Sequence, residues 1–492
     1  MKLHNTLTGG KEPLTLLEPG MIRMYVCGVT VYDYCHIGHA RSALIFDVLR
    51  RYWEAAGFTV EFVKNFTDVD DKIIKRANEQ GVACDVITEK YINAYREDMG
   101  RLGIRPAWKE PRATDHMADI IDLVEILMGK GVAYQVNGDV FFSVEAYPEY
   151  GRLSKRRLED LLVGARVDVD ERKKHPMDFA LWKSSKPGEP FWESPWGRGR
   201  PGWHIECSAM SMRHLGQTFD IHGGGMDLIF PHHENEMAQS CAATGQEFAH
   251  MWIHNGFVQV NQEKMSKSLG NFFTIREIFE KCACYGWADK VTAEVLRYFL
   301  MATHYRSPLD FSDAGLIDAK RALDNLYDLF LRLGEQTAEN GPGDHSAAGA
   351  IERFRREFHQ GMDDDFNSPV VLAEFQRLRA ELNKSLEAGL SKSMSTEARE
   401  TFHTFGRVLG LFDMAGREWQ FTKSAAVSLC SSTEARQEPS ALAPDEIERL
   451  LDERREARKK KNFKRADEIR ESLLRQGITI EDRPDGTSRW KR

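Results

Sequence analysis

No apolar run in this 492-residue chain approaches the ~18 residues that a membrane-spanning helix needs. The N-terminus, Met1-Lys2-Leu3-His4-Asn5, has no apolar stretch of signal-peptide length. A membrane protein or a secreted precursor is therefore not expected, and the chain is read as cytoplasmic. Cysteine is scarce: 8 residues (Cys27, Cys35, Cys84, Cys207, Cys241, Cys282, Cys284, Cys430) are scattered through the sequence. So long a chain needs no disulfide framework, and they read as reduced thiols, some of them available to a metal. Positive charge is not in excess, since 67 Lys plus Arg stand against 75 Asp plus Glu for a net −8, and any affinity for nucleic acid must come from a local patch. Compositional bias is absent too. With 42% hydrophobic and 29% charged residues the chain has the usage of a folded globular protein, and its length leaves room for about two to four domains.

Met21 to Val26 is mostly apolar and suits a buried strand, and after a loop Ala40 to Tyr52 sets Leu44, Ile45, Val48, Leu49 and Tyr52 at helical spacing. A second unit follows: Thr59, Val60, Phe62 and Val63 as a strand, Thr67 to Asp71 as a polar loop, Lys72 to Gln80 as a helix. Two βα units in succession predict a parallel α/β sheet, which binds ligands beyond the carboxyl ends of its strands. From about 111 to 201 a helix (Met117 to Met128), short strands (Val132 to Val144) and a stretch rich in Lys, Arg, Trp, Pro and Gly read as an insertion, after which the α/β pattern resumes to about Ser312. Residues 313–423 carry long amphipathic patterns, such as Leu316, Leu323, Leu326, Leu329, Phe330 and Leu333, and predict a helical bundle. Residues 424–444 read as a linker. The last unit, 445–492, is expected to hold two short helices and a hairpin turning at Pro484, Asp485 and Gly486. Residues 454–492 contain 14 Lys plus Arg against 7 Asp plus Glu. This end of an acidic chain is basic, as a solvated helix face or as a surface for nucleic acid.

The loop after the first strand reads Tyr32-Asp33-Tyr34-Cys35-His36-Ile37-Gly38-His39 and runs into a helix. A helix start offers free N–H groups and a positive dipole end, which suits a polyphosphate. His36 and His39 can donate hydrogen bonds to charge developing on phosphate oxygens, and Gly38 lets a flat adenine approach the backbone. Two histidines at a helix start also serve commonly as cap or surface residues. The second signal lies 228 residues on from His36: Lys264-Met265-Ser266-Lys267-Ser268. A loop bearing two ammonium groups can close over a triphosphate and neutralise the charge of an in-line displacement, and a basic surface loop is the ordinary alternative. The pair resembles the two signatures of class I aminoacyl-tRNA synthetases, which implies a Rossmann-type catalytic domain split by an insertion.

A third constellation joins Cys27, which closes the first strand, Cys207 in Gly202-Trp203-His204-Ile205-Glu206-Cys207-Ser208, and the run Phe230-Pro231-His232-His233-Glu234-Asn235-Glu236. His232 and Glu236 are i,i+4 and share a helical face. Two thiolates, one imidazole and one carboxylate make a donor set suited to zinc with room for an exogenous ligand, although taken singly a lone Cys is usually a buried small hydrophobe and a His/Glu pair a surface contact. Together with Tyr25-Val26-Cys27-Gly28 and Asp220-Ile221-His222-Gly223-Gly224-Gly225-Met226-Asp227, these segments resemble the cysteine–tRNA ligase family. The likeness continues through Asn65-Phe66-Thr67-Asp68, His304-Tyr305-Arg306-Ser307-Pro308 and Asp363-Asp364-Asp365-Phe366-Asn367, and covers essentially the whole chain. Val29 departs from it, standing where the bacterial family usually has proline; Cys282 and Cys284 have no counterpart and are read as structural thiols.

The resemblance implies one zinc ion on Cys27, Cys207, His232 and Glu236, and a cysteine pocket lined by Gly28, Thr67, Trp203 and His222. It implies an ATP site, with Mg²⁺, at His36, Gly38, His39, Asp227, Lys264, Ser266 and Lys267, of which His36, His39, Lys264 and Lys267 are catalytic. The implied activity is ATP-dependent attachment of L-cysteine to tRNA(Cys) through cysteinyl-adenylate, by a monomer. Two rivals remain at this point. One is a ligase of thiol biosynthesis that joins cysteine to an amino sugar, which lacks the full bundle and the anticodon-binding end. The other is a zinc-containing RNA-binding protein, which would not need the lysine loop.

Overall fold

The computed structural model describes residues 1–158, 170–260, 263–265, 272–422, 444–459, 462–475, 478–482 and 488–491. Its centre is a four-stranded parallel sheet in the order Ala249–Asn255, Phe219–Gly225, Met21–Thr30, Thr59–Thr67. Successive residues of Met21–Thr30 enter opposite cores: Met24 and Val26 pack on one side with the helix Ile37–Ala55, Tyr25 and Cys27 on the other. A strand covered on both faces is apolar throughout, and this is why the run read as a buried strand. The strand order reverses between Met21–Thr30 and Phe219–Gly225, which opens a crevice at their carboxyl ends. The expected elements are present but longer at their C-terminal or N-terminal ends. The first two strands run on to Thr30 and Thr67, and the helix begins at Ile37.

Between the second and third parallel strands stands an antiparallel sheet, Ala133–Val136, Asp139–Phe142, Phe179–Ser184 and Gly199–Pro201 in that order, with the helix Met117–Gly129. It is tied to the helix Glu234–Thr244, because the Glu234 carboxylate accepts from the backbone N–H of Gly151 (2.9 Å) and of Ser154 (2.7 Å). The helices Asp313–Gly334, Asp344–Asp363, Ser368–Ala388 and Lys392–Leu409 form the bundle around Phe330, Phe354, Phe358, Phe375 and Phe402. Ser312 and Ser391 cap two of them by accepting from Gly315 N and Met394 N. The second of these helices already starts at Asp344, soon after the polar stretch that begins at Glu339.

Helices Pro444–Lys459 and Phe463–Arg475 and the antiparallel strands Thr479–Asp482 and Ser488–Lys491 form the terminal unit. Its core of Ile447, Leu451, Ile469, Leu473, Ile478 and Ile480 is its own. The expected turn at Pro484-Asp485-Gly486 and the linker up to residue 443 lie outside the described residues. Cys282 is buried and Cys284 exposed. Among the described residues no helix is long and apolar enough to cross a membrane.

Candidate active site and metal centre

The strand Met21–Thr30 carries one extra residue against its neighbour Thr59–Thr67: Val26 pairs with Lys64, Val29 with Phe66, and a bulge holds Cys27 and Gly28. Bulges re-aim side chains, and this one sits where Cys27 meets the metal-ligating candidates. A side chain at residue 28 would collide with the Asn65 carbonyl, so glycine is required. The Asn65 side chain accepts from Gly28 N (2.8 Å) and approaches Thr67 Oγ1 (3.4 Å), ordering two of the expected pocket residues at once. Val29 in place of proline leaves the pairing with Phe66 intact.

Cys27, Cys207, His232 and Glu236 are all buried, and one donor atom from each lies within 4.8 Å of the others. Cys27 Sγ donates to Glu236 Oε1 (3.1 Å), and His232 Nε2 stands 2.9 Å from the same oxygen. Around a tetrahedral ion with bonds of about 2.0–2.3 Å, donors stand roughly 3.3–3.8 Å apart, so this set needs little movement to close on zinc. The electrostatics agree with such a centre. Burial alone would raise the Cys207 thiol, but hydrogen bonds from Cys27 and His232 overcome it and bring it down to about 6. Burial likewise opposes a charge on Glu236, yet His222 and His232 hold its carboxyl well below the usual range. Against the effect of burial, Glu236 and Cys207 push His232 up to about 10. A second grouping, Cys27, His222, His233 and Glu236, also meets the same spacing.

His222 is fully buried, stacked on Trp252 with ring centroids 4.5 Å apart, and its Nε2 lies 2.9 Å from Glu236 Oε2. The structure therefore sets it behind a candidate ligand, as an orienting partner of the kind metal sites use. His204 does the same for His232 (Nδ1 to Nδ1, 2.9 Å). The Trp203 ring lies over His232 at 4.2 Å and keeps 38% exposure, which is not the position of a core aromatic.

His36 caps the helix Ile37–Ala55. Its Nδ1 accepts from Gly38 N (3.1 Å), and its own N–H donates to His39 Nδ1 (3.2 Å). A side chain at residue 38 would meet the His36 ring at 2.9 Å, and the Met265 methyl lies 3.8 Å from the same point. The chain beyond the lysine loop is joined to this helix start by Ile37 N to Phe273 O (3.2 Å) and Ile275 N to Cys35 O (3.0 Å). Met265 of the second signature, distant in sequence, thus lies beside the first. Lys264 lies in the short strand Glu263–Lys264, and Ser266 and Lys267 fall outside the described residues. Asp227 is exposed on the turn that follows Phe219–Gly225. Arg41, one turn into the helix and fully buried, donates to the carbonyls of Gly256, Phe257, His304 and Ser307 and so fixes the helix to the strand that leads to the lysine loop.

Several residues at the site carry little signal in the sequence. Asn65 and Glu206 are buried polar groups in otherwise apolar surroundings, a pattern visible in the sequence only as a polar residue interrupting a buried run. The pairings of His204 and Glu234 join segments far apart in the chain and leave no local signal.

Family models match residues 13–321 as a class I (C) tRNA synthetase catalytic domain, 357–413 as a DALR domain and 441–490 as a cysteinyl-tRNA ligase anticodon binding domain. The cysteine–tRNA ligase of Geobacter sulfurreducens is 51% identical over 500 residues, covering 100% of this chain and 99% of that one. That of Trichlorobacter lovleyi is 50% identical over 503 residues, covering 100% and 99%. Among solved structures, Mycobacterium tuberculosis methionyl-tRNA synthetase in complex with methionyl-adenylate has a TM-score of 0.58 at 16% identity, covering 79% of this chain and 89% of that one. A ternary LeuRS–tRNA–LeuAMS complex from Agrobacterium radiobacter has a TM-score of 0.57 at 13% identity, covering 81% and 86%. These two likenesses bear on the fold, and they place the parallel sheet with its insertion and following helices in the class I architecture. With relatives about half identical along its whole length, the chain belongs to the cysteine–tRNA ligase family of class I aminoacyl-tRNA synthetases.

Proposed function

We propose that this protein charges tRNA(Cys) with L-cysteine in two steps. Cysteine and ATP, accompanied by Mg²⁺, give cysteinyl-adenylate and pyrophosphate, and the cysteinyl group then passes to the terminal adenosine of the tRNA. The observation that carries the reading is the meeting of Cys27, Cys207, His232 and Glu236 in the crevice of a class I fold. These four are preferred to the second grouping because both thiols are then used. Zinc held there supplies a soft Lewis acid, for which a thiolate is a far better ligand than a serine hydroxyl. His222 and His204 keep Glu236 and His232 aimed. Gly28, Thr67 and Trp203 shape the space for the amino acid, and Asp227 stands near the adenylate.

His36 and His39 donate to phosphate oxygens as the cysteine carboxylate attacks the α-phosphorus in line, and Lys264, Ser266 and Lys267 close on the departing pyrophosphate, where charge gathers. Residues 1–312 catalyse, 313–423 support the inner corner of the tRNA, and 445–492, beyond the linker, grip the anticodon region. The protein acts as a monomer in the cytoplasm; the described cysteines are all free, which suits a reducing compartment. ATP–pyrophosphate exchange tests the reading. Cysteine should start exchange and serine should not, in a preparation carrying one zinc per chain. Exchange started equally by serine would overturn it.

A further inference from the structure

Glu206 lies on the helix Trp203–Leu215, three residues after Trp203 and one before Cys207. It is 1% exposed, and neither of its carboxylate oxygens has a hydrogen-bond partner among the described residues. The charges that reach it, those of Cys207, Asp68 and Asp70, have its own sign, and the Thr67 hydroxyl faces it. Among the described residues no arginine or lysine is paired with it. A carboxylate withdrawn from water without donors is costly, and proteins keep one in that state where something else completes it.

The position says what that something is. Thr67 ends a parallel strand at the crevice and Cys207 belongs to the metal cluster, so Glu206 borders the space between them. A cysteine held by its sulfur at that cluster carries its α-nitrogen only two carbons from the sulfur. That nitrogen is an ammonium, a cation with three N–H donors and no acceptor. We propose that Glu206, together with the Thr67 hydroxyl, receives the α-ammonium of the amino-acid substrate and makes the site reject thiols that lack an amine. This rests on the reading of the crevice as the cysteine pocket. A metal centre selects for sulfur but is blind to the rest of the molecule, and a carboxylate beside it adds a second requirement by charge.

The test uses cysteamine and 2-mercaptoethanol, near-isosteric thiols that differ in ending on an ammonium or a hydroxyl, as competitors of cysteine in ATP–pyrophosphate exchange. With the wild-type enzyme cysteamine should compete about tenfold or more better, the worth of a charge-assisted hydrogen bond. In Glu206→Gln that advantage should vanish while competition by 2-mercaptoethanol stays the same. The KM for cysteine should rise about tenfold to a hundredfold, with zinc content and circular dichroism unchanged, and Glu206→Asp should restore part of the advantage. Equal competition by the two thiols in the wild type, or equal weakening of both in Glu206→Gln, would overturn the proposal while leaving cysteine-dependent exchange, and so the pocket reading, in place. An enzyme whose exchange cysteine does not start would overturn both.

Discussion

Cys27 and Cys207 are buried side by side, yet their surroundings act on them in opposite senses. Burial and the neighbouring Cys207 and Glu236 push the Cys27 thiol up, whereas hydrogen bonds from Cys27 and His232 bring Cys207 down to about 6. Cys207 is therefore the thiol already prepared to lose its proton, and replacing it removes the strongest anionic sulfur donor. Cys207→Ser should release zinc, measured by metal analysis, and raise the KM for cysteine by roughly tenfold or more; retained zinc with unchanged KM would remove Cys207 from the ligand set. Lys267→Ala should separate binding from catalysis. Adenylate formation in single turnover should fall by about a hundredfold or more while cysteine binding stays close to normal, because the ammonium is needed most when pyrophosphate leaves. At this scale the ligand candidates were legible, since Cys, His and Glu in these motifs carry their chemistry with them. The roles of Asn65, Glu206 and Glu234 are not legible in the sequence, because what each does depends on a partner brought up by the fold, as when Glu234 meets Gly151 across the insertion.

Elements with a clean period were readable and those with a mixed surface were not. The apolar strand at Met21 and the helix carrying Leu44, Val48 and Leu49 follow from sequence period alone. The helix Cys84–Arg101 buries Ile87, Tyr91, Ile92, Tyr95 and Met99, but Glu89, Lys90, Arg96, Glu97 and Asp98 interrupt its stripe, and buried Asp98 is tolerated through Arg276 (2.8 Å). The hairpin Lys2–Asn5 and Gly10–Pro13 is short and polar and gives no strand signal. The junction of helix Asp289–Met301 with the bundle carries a titrating group. Burial pushes Glu294 up to about 7, although Tyr327 and Phe412 N donate to it. The folded state thus holds this proton more tightly than the unfolded chain does. The group's contribution is complete below about pH 4.5 and is lost as pH rises through about 7, a change on the order of 3 kcal/mol. Melting of Glu294→Gln should lack this slope, so its Tm relative to wild type should climb between pH 5 and pH 8. A constant difference across that range would show that Glu294 does not titrate there.

At the scale of the whole molecule, separate cores make the proposed division of labour testable. The terminal unit closes around Ile447, Leu451, Ile469, Leu473, Ile478 and Ile480, and its loss should not disturb the parallel sheet. Deleting residues 424–492 should leave cysteine-dependent exchange largely intact and weaken tRNA charging, mainly through KM for tRNA, with a shallower salt dependence because Lys and Arg contacts to phosphate are gone. Charging with unchanged KM would reduce the basic end to a solvated surface. The change from alternating strands and helices to helices alone was legible in the sequence period, whereas the reversal of strand order that creates the crevice was not, since only pairing in three dimensions decides it. That same topology bears on how the protein is made. Cys27 and Glu236 lie 209 residues apart, and at about 5–20 residues per second a ribosome needs roughly 10–40 s to add the second after the first. For that interval the nascent chain carries Cys27 without its full set of partners, and the four-residue cluster cannot close until translation has passed residue 236.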